Sequence, residues 1–240
     1  MSYPYAYPAP AAPAPSPSDS SSPSSASDSN PNSSVPVINA IPLLEPERLA
    51  RNHAILCTVG FLILLPLGIV FARYLRTFTN KWWAGHAVIQ LVISVPVISA
   101  GWHYGWRVAQ MAGLGHFIDP HTKMGLALLI LYAIQLVWGL VIHFFKIGAA
   151  TTRPVQNYFH VFLGLVIMIL AQEQVHYGLY IEWPFATGNI HPVPQSAKNA
   201  WIALVVIFWV LYLAGFALLP RQFAQEKRVR EERKLNGEKL

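Results

Sequence analysis

Residues 121–145, HTKMGLALLILYAIQLVWGLVIHFF, and residues 157–178, NYFHVFLGLVIMILAQEQVHYG, decide how this chain folds. Each is long enough to carry an α-helix across a bilayer, whose hydrocarbon core of roughly 30 Å takes about 20 apolar residues. The two stretches also repeat one another. His121-x3-Gly125-Leu126 runs through Ile130-Leu131 and Gln135 to Gly139, and His160-x3-Gly164-Leu165 runs at the same offsets through Ile169-Leu170 and Gln174 to Gly178. Shared histidine and glycine at fixed spacing point to one structural task performed twice.

Three further apolar segments, at about 53–75, 83–102 and 199–219, bring the number to five. Unsatisfied backbone is not tolerated in lipid, so all five are expected as helices. Pro66 and Pro96 fall inside the first two and should kink them locally. The fold expected is an all-α membrane protein, a bundle of five transmembrane helices with a disordered Pro/Ser-rich N-terminal tail. Composition agrees: mean hydropathy is positive, and charged residues make up 12% of the chain against roughly 25% in a soluble domain. The single Cys57 excludes an intrachain disulfide.

Three regions follow. Residues 1–48 are rich in Pro, Ser and Ala, with little charge and no hydrophobic periodicity, and are expected as a disordered extracytoplasmic tail. They lack the basic start and apolar stretch of a signal peptide, and Asn32-Ser33-Ser34 is a glycosylation acceptor if that end is extracytoplasmic. Residues 49–220 form the transmembrane domain, and 221–240 a basic tail that suits an anionic membrane surface and not nucleic acid. Loop charges set the orientation. Arg73, Arg76, Lys81, Lys146, Arg153 and the basic tail fall on one side, while Arg48, Arg51, Arg107, Lys123 and Lys198 fall on the other. The positive-inside rule then puts the amino end outside or in a lumen and the carboxyl end in the cytosol, in the plasma membrane or an endomembrane.

Four histidines, His53, His86, His121 and His160, open four successive segments. If the segments alternate in direction, His53 and His121 share the extracytoplasmic leaflet, and His86 and His160 share the cytoplasmic one. An imidazole in hydrocarbon needs a partner, and a metal is one way to satisfy it. Two stacked bis-histidine haems would use all four. Gly125 and Gly164, one turn past their histidines on the same face, would let a flat macrocycle approach the backbone, although small residues in membrane helices also serve packing. Zinc competes, but it favours four clustered donors. The other histidines read as interfacial: His103 and His116 in the second extracytoplasmic loop, His143 and His176 near helix ends, and His191 in a solvent-exposed last loop.

Six-coordinate iron has no open position, so electron transfer is expected, and not oxygen chemistry. Irons near the two surfaces would lie on the order of 20 Å apart across the bilayer. Lys81 and Arg153 precede the inner histidines by a few residues, with Arg73 and Arg76 nearby, and would attract an anionic cytosolic reductant such as ascorbate. The same cations also satisfy the positive-inside rule without any ligand.

At these residues the chain resembles the cytochrome b561 family, over about residues 50–220. The resemblance is carried by Phe71-Ala72-Arg73-Tyr74, Trp82-Trp83-x2-His86-x3-Gln90, His121-Thr122-Lys123-Met124-Gly125 and Arg153-Pro154-x5-His160-x3-Gly164. It is nearest to the fungal branch often fused to a DOMON domain, whose place is taken here by the Pro/Ser tail. The resemblance implies two haem b groups, ligated by His53 with His121 and His86 with His160. It also implies electron movement from cytosolic ascorbate to an extracytoplasmic acceptor, monodehydroascorbate or a ferric chelate, in an oxidoreductase embedded in membrane lipid; the reading allows a homodimer. A flavin-haem ferric reductase would need a nucleotide-binding domain for which the segment after the fifth helix is too short. The alternative from a different class is a non-catalytic multi-span membrane protein whose histidines serve helix packing.

Overall fold

The computed structural model describes residues 41–79, 81–113, 115–145 and 155–235. Five long helices form its frame, and no strand occurs among the described residues. They are α1 (Glu45–Leu75), α2 (Trp82–Ala112), α3 (Pro120–Phe144), α4 (Val155–Ala186) and α5 (Gln195–Val229), the last continuing in helical form to Leu235. All five are long and apolar enough to cross a bilayer.

The helices outrun the apolar segments because hydrophobicity marks only the hydrocarbon-embedded part. α1 begins at Glu45, not at 53, with Pro46 in its first turn and the Glu47 carboxylate accepting from the Leu44 N–H at 2.7 Å. α2 runs on to Ala112 and stops at Gly113, whose φ of +67° suits glycine. His103 therefore lies within a helix and not in the loop expected for it. α3 starts from Asp119, whose carboxylate accepts from the Thr122 N–H at 2.9 Å and its hydroxyl at 2.6 Å. The start of the basic segment at 221 is the continuation of α5.

The expected kinks take a specific form. Wide π-helical turns occupy Val59–Leu64, Val88–Ser94 and Gly178–Glu182, each ending two residues before a proline, Pro66, Pro96 or Pro184. A proline cannot donate to the carbonyl four residues back, and its ring crowds that carbonyl; one extra residue in the preceding turn relieves the crowding. Polar side chains serve backbone carbonyls there. The Ser94 hydroxyl donates to Ile89 O at 2.8 Å and the Gln90 amide to Leu65 O at 3.1 Å.

α1 packs closely on α2, and α3 on α4. Glycine allows the first approach: a Cβ on Gly101 would lie 2.7 Å from Cys57 Sγ. Phe61, Leu62, Ile98, Leu128, Tyr132, Ile167, Met168, Ala171 and Phe208 fill the centre, with Met168 and Ala171 at 0% exposure. α5 clamps one side. Trp201 and Trp209 donate to the Gln172 carbonyl and amide oxygens at 3.1 and 2.9 Å, and Tyr74 donates to Leu211 O at 2.8 Å. Large apolar side chains such as Val92, Val137, Phe162 and Val206 stand exposed on the outside, where lipid would cover them.

Candidate functional site

The alternation of helix direction brings the four entry histidines into two facing pairs. His53 of α1 meets His121 of α3 with ring centroids 6.0 Å apart, and His86 of α2 meets His160 of α4 at 6.3 Å; both pairs have interplanar angles of 77°. The pairs lie at opposite ends of the bundle, because α1 and α3 run against α2 and α4.

A ring nitrogen sits about 1.1 Å from its own centroid and a metal–nitrogen bond is about 2 Å, so two imidazoles facing each other across one metal have centroids roughly 6 Å apart. Both pairs fall at that separation. Among the described residues no group of three or more His, Cys, Asp or Glu side chains could hold a metal ion. Each imidazole pair therefore supplies two nitrogen donors, and a metal held there would need a ligand that brings its own, as a porphyrin does. The residues present fit a haem, which His53 with His121 and His86 with His160 would hold.

What fixes each ring differs between the two helix pairs. On α1 and α2 the backbone does it: His53 Nδ1 donates to Gly101 O at 2.8 Å, and His86 Nδ1 donates to Gly68 O at 2.9 Å. With Nδ1 occupied in this way, Nε2 keeps its lone pair for a metal. The arrangement is reciprocal, since Gly68 lies fifteen residues after His53 and Gly101 fifteen after His86. Gly105 adds the room for the ring, as a Cβ there would stand 2.6 Å from His53 Nδ1. The equal offsets of Gly68 and Gly101 form a second, sparser internal repeat, the signal in the sequence for this anchoring.

On α3 and α4 glutamine holds the histidine's backbone and glycine leaves room for its ring, and His160 Nδ1 is buried without a hydrogen-bond partner. The Gln174 amide donates to His121 O at 2.8 Å and lies 3.2 Å from His121 Nδ1, and the Gln135 amide donates to His160 O at 2.9 Å. A Cβ on Gly178 would lie 3.4 Å from His121 Cε1, and one on Gly139 3.3 Å from His160 Cε1. The histidine, the two glycines and the glutamine of each copy thus meet members of the other copy. A Cβ on Gly125 would stand 3.1 Å from the Gln174 amide nitrogen, and one on Gly164 3.0 Å from that of Gln135. The space they leave is filled by those amides, a helix-packing contact.

The cations expected around the inner pair separate. Lys81 stands exposed at the start of α2. Arg153 and Lys146 lie outside the described residues, as do the tail before residue 41 and its Asn32 acceptor. Arg73 turns away from the mouth. Its guanidinium stacks over Tyr212 at 4.6 Å and Phe216 at 4.1 Å, and Nε and Nη2 are buried without a hydrogen-bond partner. Position in the chain could put Arg73 near the inner end, but only the docking of α5 decides which way it faces. Arg76 takes the place beside the site. It stacks over Trp82 at 3.9 Å and lies close enough to interact electrostatically with both His86 and His160.

Outside the pairs, His116 stacks on Trp106 with centroids 3.7 Å apart, and His176 packs between Tyr180 and Trp201. His191 is not free in solvent: its side chain is 17% exposed and its Nε2 lies 3.4 Å from a Glu47 carboxylate oxygen.

Comparison with known proteins supplies the remaining observation. The chain is 25% identical over 186 residues to "Ascorbate-specific transmembrane electron transporter 2" of Zea mays, covering 75% of this chain and 78% of that one. It is 23% identical to "Transmembrane ascorbate ferrireductase 2" of Arabidopsis thaliana, over 72% of this chain and 74% of the relative. A cytochrome b561 and DOMON domain-containing protein of Arabidopsis thaliana is 29% identical over 67% of this chain, which spans 38% of that protein. No solved structure matches. The profile of the eukaryotic cytochrome b561 family matches residues 52–185, more than half of the chain and all four paired histidines, and the chain belongs to that family.

Proposed function

We propose that this chain is a transmembrane oxidoreductase that carries single electrons through two haem b groups, one held by His53 and His121 and the other by His86 and His160. The observation that carries this reading is the equal geometry of the two imidazole pairs at opposite ends of one bundle. Haem b supplies one-electron exchange at iron when bound. The chain does the rest: backbone carbonyls of Gly101 and Gly68 orient His53 and His86, and the glycine and glutamine positions of α3 and α4 seat His121 and His160. The fifteen residues from His53 to the level of His86 correspond to about 22 Å along the helix axis, so the two sites divide the crossing between them.

The donor side in this reading is the cytosolic mouth beside His86 and His160, and the donor is ascorbate. Two relatives carry ascorbate in their names, and Lys81 and Arg76 give this mouth the positive charge that draws an anion. The acceptor at the His53/His121 end is monodehydroascorbate or a ferric chelate. Absorption spectroscopy of the purified full-length chain tests the reading. Soret and α bands that sharpen with ascorbate and complete with dithionite support it. A chain without reducible bands would leave the histidines as helix-packing residues.

A further inference from the structure

Among the described residues, the mouth beside His86 and His160 holds a histidine, His143, that the proposed ligation leaves unused. Gly139 faces His160, with the direction of its missing Cβ ending 3.3 Å from His160 Cε1. Four residues on, His143 occupies the same face of α3, about 6 Å nearer its end. Across the mouth, Trp83 stands three residues before His86, also one turn nearer that end. These two side chains meet, with ring centroids 4.4 Å apart and planes inclined by 35°. The Trp83–His143 stack therefore closes over the inner imidazole pair one turn out from it. Both residues stay exposed, Trp83 at 45%. The other ring against His143 is Phe144, which is also uncharged.

An imidazole held by one face, exposed near the end of its helix and one turn from the proposed haem site is placed to take up a proton released there. Hydrogen ascorbate releases one. It is a monoanion with one remaining acidic enol O–H, and loss of an electron makes that O–H strongly acidic. The charged groups of the adjoining α1–α2 segment, Arg76 and Lys81, attract the anion.

Building on the ascorbate reading above, we infer that His143 is the proton acceptor for ascorbate oxidation at this mouth. The enol O–H bond of hydrogen ascorbate breaks and its proton passes to an imidazole nitrogen of His143, while a haem held by His86 and His160 would supply the one-electron acceptor. Ascorbyl radical anion leaves, and His143 returns the proton to the surrounding water. A histidine serving only to pack against Trp83 would have no part in the proton transfer.

The test uses the full-length, haem-loaded chain and two reductants, ascorbate and the proton-free one-electron donor hexaammineruthenium(II), in H2O and D2O by stopped flow. H143Q is expected to slow ascorbate reduction on the order of a hundredfold and to leave ruthenium reduction unchanged. Haem content, oxidised and reduced spectra and both midpoint potentials should stay those of the parent chain. H143A should regain part of its ascorbate rate on addition of imidazole. Ascorbate reduction at the parental rate in H143Q, with an unchanged solvent isotope effect, would overturn the inference. Equal slowing with both donors together with a shifted inner potential would overturn it too, by making His143 structural. A parent chain that ruthenium reduces and ascorbate does not would instead overturn the ascorbate reading on which this one rests.

Discussion

His53 donates through Nδ1 to the carbonyl oxygen of Gly101 at 2.8 Å, and Gly105, one turn further along α2, leaves the room in which the ring turns to do so. A side chain at 105 would begin 2.6 Å from His53 Nδ1, closer than the ring can tolerate. Gly105→Val should displace His53 and empty the His53/His121 site while the other pair still binds. Gly178→Leu should do the same through His121, and Gly139→Leu should empty the His86/His160 site through His160. Haem-to-protein ratios by the pyridine haemochrome method should fall from about two to about one in each variant. An unchanged ratio in all three would mean that these glycines do not seat the rings.

Gln135 and Gln174 donate across the α3–α4 interface to the carbonyls of the two histidines they serve. Interhelical hydrogen bonds of this kind contribute about 0.6 kcal/mol and at most about 2 kcal/mol in membranes. Gln135→Leu should lower thermal stability by that order and loosen the His160 end first, and Gln174→Leu the His121 end. The check is heat-induced haem release, followed separately at the two α bands.

Arg73 and Lys81 should part company in function. Arg73→Met removes the stacking on Tyr212 and Phe216 that helps dock α5, an interaction of about 1–2 kcal/mol when desolvated. Its expected effect is lower stability with ascorbate reduction at low salt nearly intact. Neutralising Lys81 together with Arg153 should slow ascorbate reduction several-fold at low ionic strength and hardly at all near 1 M salt, where the Debye length is about 3 Å. Stopped-flow rates across a salt series decide. Equal salt dependence in the parent and the double variant would return these two cations to a purely topological role.

The loop charges predict that the segment before Glu45 faces away from the cytosol and the α5 extension with Arg221, Lys227 and Arg228 faces it. In sealed right-side-out vesicles, a carboxyl-terminal tag should resist protease and an amino-terminal tag should be cut. The opposite pattern would move the donor side to the His53/His121 mouth.

Much of the candidate site is legible in the sequence. The starts of four apolar segments carry the four paired histidines, and alternating helix direction alone brings His53 to His121 and His86 to His160. The duplicated pattern of α3 and α4 likewise pointed to a shared task. Its partners were hidden, because spacing along one helix cannot say that Gly125 faces Gln174 of the next. Helix ends were read short, since polar turns such as Glu45–Asn52 carry no hydrophobic signal although their caps hold them helical. Pro66 and Pro96 announced irregular backbone, but a π-helical turn and a bend look alike in sequence, and Pro184 lies beyond the apolar segment expected to end at 178. Facing was the least legible property: Arg73 and Arg76 are one turn apart, yet one packs under α5 and the other lies beside the inner imidazoles.

Haem content of paired double variants tests the central claim most directly. His53→Ala with His121→Ala, and separately His86→Ala with His160→Ala, should each leave about one haem per chain, with the remaining bands those of the untouched pair. His53→Ala with His86→Ala breaks both pairs and should leave none that is six-coordinate in the ferric state. One intact bis-histidine haem surviving in that cross-pair variant would contradict the account.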